Sequence, residues 1–228
     1  MDDEFDDAWA VAATVPGWLT HGQARALWDA ARQLPVGSAI VEIGSHQGRS
    51  TVVLGRAAAA AGARVIAIDP FIGGAMFGGS ATRAKFERNV ADAGVDGVVQ
   101  LVTQRSTVLR PAWDTPLAMV YVDGKHDYWT ARDDLRWVAH VPPGAPVLVH
   151  DSFSSIGVTA AILAHVLPGR ELRYLGRVGS LARFEAAAPG RRDRARILAE
   201  LPWFVRNVLI KVVLRAGRVV GYRRSDPY

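Results

Sequence analysis

The sequence predicts an α/β fold: a doubly wound, mostly parallel sheet with helices on both faces and an antiparallel hairpin at its end. Three observations predict it. Short β-branched runs alternate with longer helical stretches along most of the chain. The runs are continuously apolar, as expected of parallel strands buried on both faces. The last two runs are separated by a short stretch bounded by Gly176 and Gly179 rather than by a helix, which reads as a hairpin.

Residues 3–12 and 21–33 read as helices ahead of the sheet. Strands are expected at 38–43 (SAIVEI), 64–68 (RVIAI), 98–102 (VVQLV), 117–122 (LAMVYV) and 146–150 (PVLVH). Helical patterns at 49–61, 80–93, 127–140 and 155–167 connect or follow them, which implies right-handed crossovers. Runs 171–175 and 180–184 form the hairpin. The glycine-rich segment 71–80 (FIGGAMFGGS) reads as a loop. Residues 1–190 make one domain, and 191–228 a basic, amphipathic extension.

The composition narrows the chemistry. Half of the 228 residues are hydrophobic, enough for an ordinary core. The chain has no cysteine, which excludes disulfides and thiolate metal sites. A metal must therefore be held by oxygen or imidazole. The acidic start, MDDEFDDAW, is not a secretory signal, and no uninterrupted apolar run is long enough to span a bilayer. The expectation is a cytoplasmic protein without a transmembrane segment. The net charge is +5, but residues 191–228 alone hold ten basic and three acidic side chains, leaving −2 for the remainder. Charge confined to a tail does not suggest a nucleic-acid-binding surface. Within that tail, 202–215 (PWFVRNVLIKVVLR) would be an amphipathic helix. Contact with the body or with a second subunit, as in a homodimer, is favoured over a flap or a membrane-surface helix. The arginines of 191–196 read as a solvated face.

The first strand runs into Val41-Glu42-Ile43-Gly44-Ser45-His46-Gln47-Gly48-Arg49-Ser50, and a helix follows. Gly44 and Gly48 let the backbone turn sharply and approach a ligand. The turn lacks GxGxxG and the lysine of a P-loop. Glu42 beside it would repel a pyrophosphate and suit a cationic or hydroxylated ligand. One strand later, Asp69 ends RVIAID, where a carboxylate can accept ribose hydroxyls.

The pattern E-x-G-x-x-x-G-x-S, followed by a strand-terminal acid, resembles the first two motifs of class I S-adenosylmethionine-dependent methyltransferases. The GSHQGRS version is similar to the metal-dependent catechol O-methyltransferases and the macrocin-type sugar O-methyltransferases, over residues 38–152. The resemblance implies a Rossmann-like sheet. It also implies that Glu42, Gly44, Ser45, Gly48 and Ser50 form the cofactor turn and that Asp69 holds the ribose. Ser106, after the third strand, would lie at the adenine, although Gln104 and Arg105 depart from the small residues usual there.

Asp123 and Asp151 follow the fourth and fifth strands, whose ends lie on the side of the cofactor crevice. Two facing carboxylates repel unless a cation lies between them, and oxygen ligands suit Mg²⁺. Helix capping by Asp127 or Asp151 is the rival reading. In the metal-dependent relatives, aspartates at these two positions bind the ion. His150 could add a third ligand or simply pack into the sheet. His126 stands three residues after Asp123, where the relatives carry a Lys or His base; Lys125 is its rival. A neutral imidazole could take the proton of a hydroxyl during transfer of the methyl group. His46 could contact cofactor or substrate, whereas His21, His140 and His165 read as structural or solvated.

The expected activity is therefore Mg²⁺-assisted O-methylation, by S-adenosylmethionine, of a small-molecule hydroxyl, above all on a saccharide. Actinobacterial sugar enzymes that methylate the 1-hydroxyl of methylmannosides are the particular resemblance. A catechol or phenol acceptor is the second expectation. The third is a cofactor-binding protein without catalysis that acts through its basic tail; the joint presence of Asp123, His126 and Asp151 argues against it.

Overall fold

The computed structural model describes residues 2–72 and 79–219, with side chains described for 3–72 and 79–214. Helices α1 (Asp2–Ala12) and α2 (His21–Arg32) precede the sheet. Then follow β1 (Ala39–Ile43), α3 (Arg49–Ala61), β2 (Arg64–Ile68), α4 (Gly79–Asp92), β3 (Val99–Val102) and a short α5 (Ser106–Leu109). The second half contains β4 (Met119–Val122), α6 (Tyr128–Leu135), β5 (Pro146–Val149), α7 (Ile156–Ala161), β6 (Leu172–Val178) and β7 (Leu181–Ala186). Helices α8 (Arg191–Ala199) and α9 (Leu201–Val219) end the described chain.

The strand order is β3-β2-β1-β4-β5-β7-β6. Strands β1 to β5 are parallel to their neighbours among them, while β7 pairs antiparallel with both β5 and β6. Chain order reverses direction across the β1–β4 pair, which is where a doubly wound sheet opens a ligand crevice. Both faces are covered. One core joins Phe5, Leu27, Trp28, Leu54 and Phe86 to Ile40 and Tyr121; the other joins Trp137, Phe153, Ile162 and Phe184 to Val41 and Val120. Adjacent residues Ile40 and Val41 thus face opposite layers, as strand alternation requires. Burial on both sides is why β1 and β4 read as unbroken apolar runs.

The structure corrects several expected bounds. Gly79 and Ser80 open α4 rather than belonging to the 71–80 loop, Phe71 and Ile72 are irregular, and 73–78 lie outside the described residues. Gly176 does not separate two strands. It lies inside β6, at φ +130°, where the register against β7 slips between Tyr174 and Gly176. The patterns 127–140 and 155–167 each begin as α-helix and change to other helical turns, at 136 and 162. Residues 191–196 are not merely a solvated face. They open α8, which buries Ile197 and bonds Arg194 to the carbonyls of Leu167 and Gly169.

The capping box of α2 links the N-terminal layer to the sheet. Thr20 Oγ1 accepts from the Gln23 amide, and Gln23 Oε1 accepts from the Thr20 amide. The same Gln23 is buried and donates from Nε2 to Ser180 Oγ at 3.0 Å, at the β6–β7 turn.

Candidate active site

The site forms at the C-terminal ends of β1, β2, β4 and β5. Gly44 has φ +86°, and a Cβ there would lie 2.2 Å from the Asp123 carbonyl oxygen and 2.8 Å from Gly124 Cα. Only glycine permits the turns after β1 and β4 to approach so closely. The non-glycine residues with positive φ are His46 (47°), Phe71 (43°), Asp151 (54°) and Phe153 (57°), all in turns after β1, β2 and β5. Such backbone is unfavourable for side chains with a Cβ and is typically held in place at functional sites.

Glu42 is fully buried near the end of β1. Its carboxylate accepts hydrogen bonds from Ser45 Oγ (2.9 Å), Ser50 Oγ and Thr51 Oγ1. Burial raises its pKa to about 7 despite these three donors. Glu42 therefore stands behind the turn and holds it to the start of α3. Asp69 faces the same turn from β2. Its Oδ2 accepts from the amides of Ser45 (3.1 Å) and His46 (2.9 Å), and its Oδ1 from Phe71 (2.8 Å). Gly48 precedes α3 at φ +94°, with Phe86 packed against the position a Cβ would take. Arg49 bonds the carbonyls of Ala12, Ala13 and Gly17, tying α3 to the N-terminal layer.

Ser106 begins α5 and donates to Asp134 Oδ1 on α6 at 2.6 Å. Asp134 is buried and its Oδ2 has no hydrogen-bond partner. Burial raises its pKa to about 7. The signals that could have revealed Asp134 are weak, because an acid at that helical spacing usually faces water.

Asp123, His126, His150 and Asp151 come together. The His126 ring lies between the two carboxylates, with Nδ1 3.1 Å from Asp151 Oδ2 and Nε2 3.5 Å from Asp123 Oδ1. Burial lowers the His126 pKa, but contact with Asp123 and the charge of Asp151 outweigh it, and the net direction is upward. His150 is buried behind them. Its Nδ1 is 3.3 Å from Asp123 Oδ1 and 3.9 Å from Asp151 Oδ1, yet forms no aligned hydrogen bond. Its Nε2 meets Gln23 Oε1 at 3.3 Å. Burial opposes the charged imidazole, but the Asp123 carboxylate raises its pKa to about 9. Burial alone would raise the Asp123 pKa; the two histidines instead hold it well below the usual carboxylate range. Tyr121 adds a hydrogen bond to Asp123 Oδ2 at 3.0 Å.

The expected metal set is not assembled as these side chains stand. Among the described residues no three His, Asp or Glu side chains are placed to hold an ion, because imidazole bridges the two carboxylates. The capping alternative divides. Asp127 caps α6, accepting from the amides of Trp129 and Thr130, whereas Ser155 and not Asp151 stands at the N-terminus of α7. Lys125 is 78% exposed and pairs with Asp127 at 3.2 Å, away from the carboxylates. His46 lies against Trp18, with ring centroids 5.5 Å apart. His21 packs edge-on to Phe5 and Trp9, His140 lies against Trp137, and His165 Nε2 meets Tyr128 Oη.

Sequence reasoning missed three supports: Gln23, Asp134 and Gly157. A Cβ on Gly157 would lie 2.2 Å from the His126 carbonyl oxygen, so α7 can press on the turn that carries His126 only with glycine there.

A Rossmann-like sheet with a glycine turn after β1, an acid after β2 and polar groups after β4 and β5 is the arrangement expected from the resemblance to class I methyltransferases. Residues 41–152, which run from β1 past β5 and include most of these groups, match the family model described as a methyltransferase domain. Over that stretch, just under half of its length, the chain is similar to methyltransferase domains. Similar folds occur in the O-methyltransferase TomG from Streptomyces achromogenes, involved in tomaymycin synthesis and solved with S-adenosylmethionine (22% identity, TM-score 0.58, 83% of this chain and 91% of that one). The O-methyltransferase from Bacillus cereus, solved with S-adenosylhomocysteine, is another (18% identity, TM-score 0.57, 82% and 91%). The S-adenosylhomocysteine-bound methyltransferase PaMTH1 from Podospora anserina is a third (13% identity, TM-score 0.63, 81% and 88%).

Proposed function

We propose that this protein is an S-adenosylmethionine-dependent O-methyltransferase acting on a hydroxyl of a sugar or polyhydroxylated small molecule, with His126 as general base. The observation that carries the reading is the His126 ring between Asp123 and Asp151, beside the Gly44 turn. The cofactor supplies an electrophilic methyl group on a sulfonium. The donor set suits it: the glycine turn admits close approach, Asp69 faces that turn, and Asp134 offers an unpaired buried oxygen beside Ser106. Gly44, Ser45 and Gly48 would form the turn around the cofactor. Glu42 and Ser50 brace it from behind, Asp69 meets the ribose and Ser106 the adenine.

Asp151 holds Nδ1–H of His126, so the proton of the acceptor hydroxyl would go to Nε2, which lies 3.5 Å from Asp123 Oδ1. Asp123 and Asp151 stabilise the imidazolium so formed. The acceptor oxygen so activated would be the nucleophile for the methyl carbon, the S–CH3 bond breaking as the O–CH3 bond forms and the sulfur leaving as a neutral thioether.

A divalent cation fits the chemistry of the same groups. Nδ1 of His150, which makes no aligned hydrogen bond, lies 3.3 Å from Asp123 Oδ1 and 3.9 Å from Asp151 Oδ1, so Asp123, Asp151 and His150 would hold the ion once His126 moves aside. It would supply positive charge that lowers the pKa of a bound hydroxyl. A catechol or phenol acceptor is the second reading, favoured by Trp18, which is 65% exposed against His46.

The test is mass spectrometry of a panel of sugars, methylmannosides and catechols incubated with the protein and S-adenosylmethionine, with Mg²⁺ or with EDTA. A methyl group gained by a saccharide hydroxyl supports the reading, and gain only by catechols selects the second acceptor. Loss of turnover in EDTA, restored by Mg²⁺, supports the cation; full turnover in chelator removes it. No methylated product from any hydroxyl overturns the assignment.

A further inference from the structure

Helix α9 has two different faces. One is fastened to the body: Asn207 is buried and donates to the Phe153 carbonyl at 3.1 Å, and Lys211 Nζ donates to the Ser154 carbonyl at 2.9 Å. Phe204 and Trp203 pack against the core, with the Arg177 guanidinium 3.7 Å from the Trp203 ring centroid. The other face carries Val205, Leu209, Val212 and Val213, at i, i+4, i+7 and i+8, and these are 54%, 59%, 59% and 68% exposed. Spacing of this kind makes a single apolar stripe along a helix. An aliphatic stripe left in water on a helix already anchored by its opposite side calls for a partner.

The charge of the segment says which. Besides Lys211, which is bound to the body, the sequence from Leu201 to Val219 contains Arg206, Arg215 and Arg218 and no acidic residue. A second copy seated on this face would bring two such cationic sets together without a counter-charge. A nucleic acid would meet the cations but gain nothing from four aliphatic side chains. An anionic lipid surface uses both features, taking the aliphatics into the acyl boundary and the exposed Arg206 beside them into the headgroups. No helix among the described residues is long and apolar enough to cross a membrane, so the helix would lie in the interface. We propose that α9 docks the protein onto anionic membrane surfaces through Val205, Leu209, Val212 and Val213. Because α9 is fastened to Phe153 and Ser154, docking brings the turn that begins with Asp151 toward the lipid.

The test is flotation of the full chain with vesicles of phosphatidylcholine alone or mixed with phosphatidylglycerol. The protein should float with the mixed vesicles and not with the neutral ones, and added salt should weaken the association. The variant with Val205, Leu209, Val212 and Val213 all changed to Ser should partition on the order of a hundredfold less. Its circular dichroism should stay unchanged, since these side chains touch little. Arg206→Glu, a single surface change, should weaken flotation about tenfold. Absence of flotation with either vesicle overturns the proposal, as does a quadruple variant that floats like wild type. A concentration-dependent dimer lost in the quadruple variant, with no vesicle binding, would assign the stripe to a second copy instead. Retention on single-stranded RNA that ignores the four serines, again without vesicle binding, would assign the helix to nucleic acid.

Discussion

Replacing Glu42 with Gln should stabilise the protein relative to wild type as pH rises, and the structure sets the size. Glu42 is fully buried, and burial raises its pKa from 4.5 to about 7. A carboxyl whose folded pKa exceeds its unfolded pKa keeps its proton longer in the native state. Between pH 4.5 and about 7 the native state then binds more protons than the unfolded one, so stability falls with rising pH and levels off above that window. The rise corresponds to about 3 kcal/mol across the window. The amide introduced by Glu42→Gln does not titrate. Its oxygen can still accept from two of the three hydroxyls, and the third can turn to accept from the amide nitrogen, so the pH-independent cost should be about 1 kcal/mol. The assay is urea unfolding of both proteins at pH 4 and pH 8. The free-energy difference between variant and wild type should shift by about 3 kcal/mol in favour of the variant from the lower to the higher pH. Contributions from other titrating groups cancel in that difference. A constant difference at both pH values would refute the claim that an unfavourably buried carboxyl braces the turn.

Three further outcomes are expected. Gly44→Ala imposes a Cβ 2.2 Å from the Asp123 carbonyl oxygen on a left-handed backbone. The backbone alone should cost about 1–2 kcal/mol, so thermal unfolding should move down and calorimetry should show weaker S-adenosylhomocysteine binding; an unchanged melting temperature would remove the close approach from the account. His126→Ala should lower kcat by about 10²–10⁴-fold with little change in cofactor affinity. The wild-type kcat should rise with pH through a pKa above the ordinary imidazole value, since only neutral His126 accepts a proton, while Lys125→Ala retains activity; inversion of the two variants would exchange their roles. Asp134→Ala should weaken S-adenosylhomocysteine about tenfold, as Ser106 loses its buried acceptor, and Asp134→Asn should restore most of the affinity; equal affinity in all three proteins would separate Ser106 from the cofactor.

The fold was legible where burial on both sheet faces made the strands continuously apolar, as in AIVEI of β1 and MVYV of β4. It was less legible where the final arrangement depends on tertiary pairing. The hairpin residues announce themselves, but nothing local says that β7 rather than β6 lies beside β5. The short α5 has too few residues to develop a periodic pattern. In the site, the strand-terminal positions of Asp69, Asp123 and Asp151 follow from where the apolar runs stop. The meaning of Glu42 does not. A carboxylate next to a glycine turn suggests a ligand, whereas the hydroxyls of Ser45, Ser50 and Thr51, which occupy it, become visible only when the turn and helix close around it. Gln23 meets His150 across a sequence separation of 127 residues, beyond any local pattern.

Isothermal titration of the full chain with S-adenosylhomocysteine, set beside the same titration with NAD, tests the central claim most directly. The account predicts saturable one-site binding of S-adenosylhomocysteine, weakened in Asp69→Ala, and no heat from NAD at the same concentration. Saturable binding of NAD with no response to S-adenosylhomocysteine would contradict it.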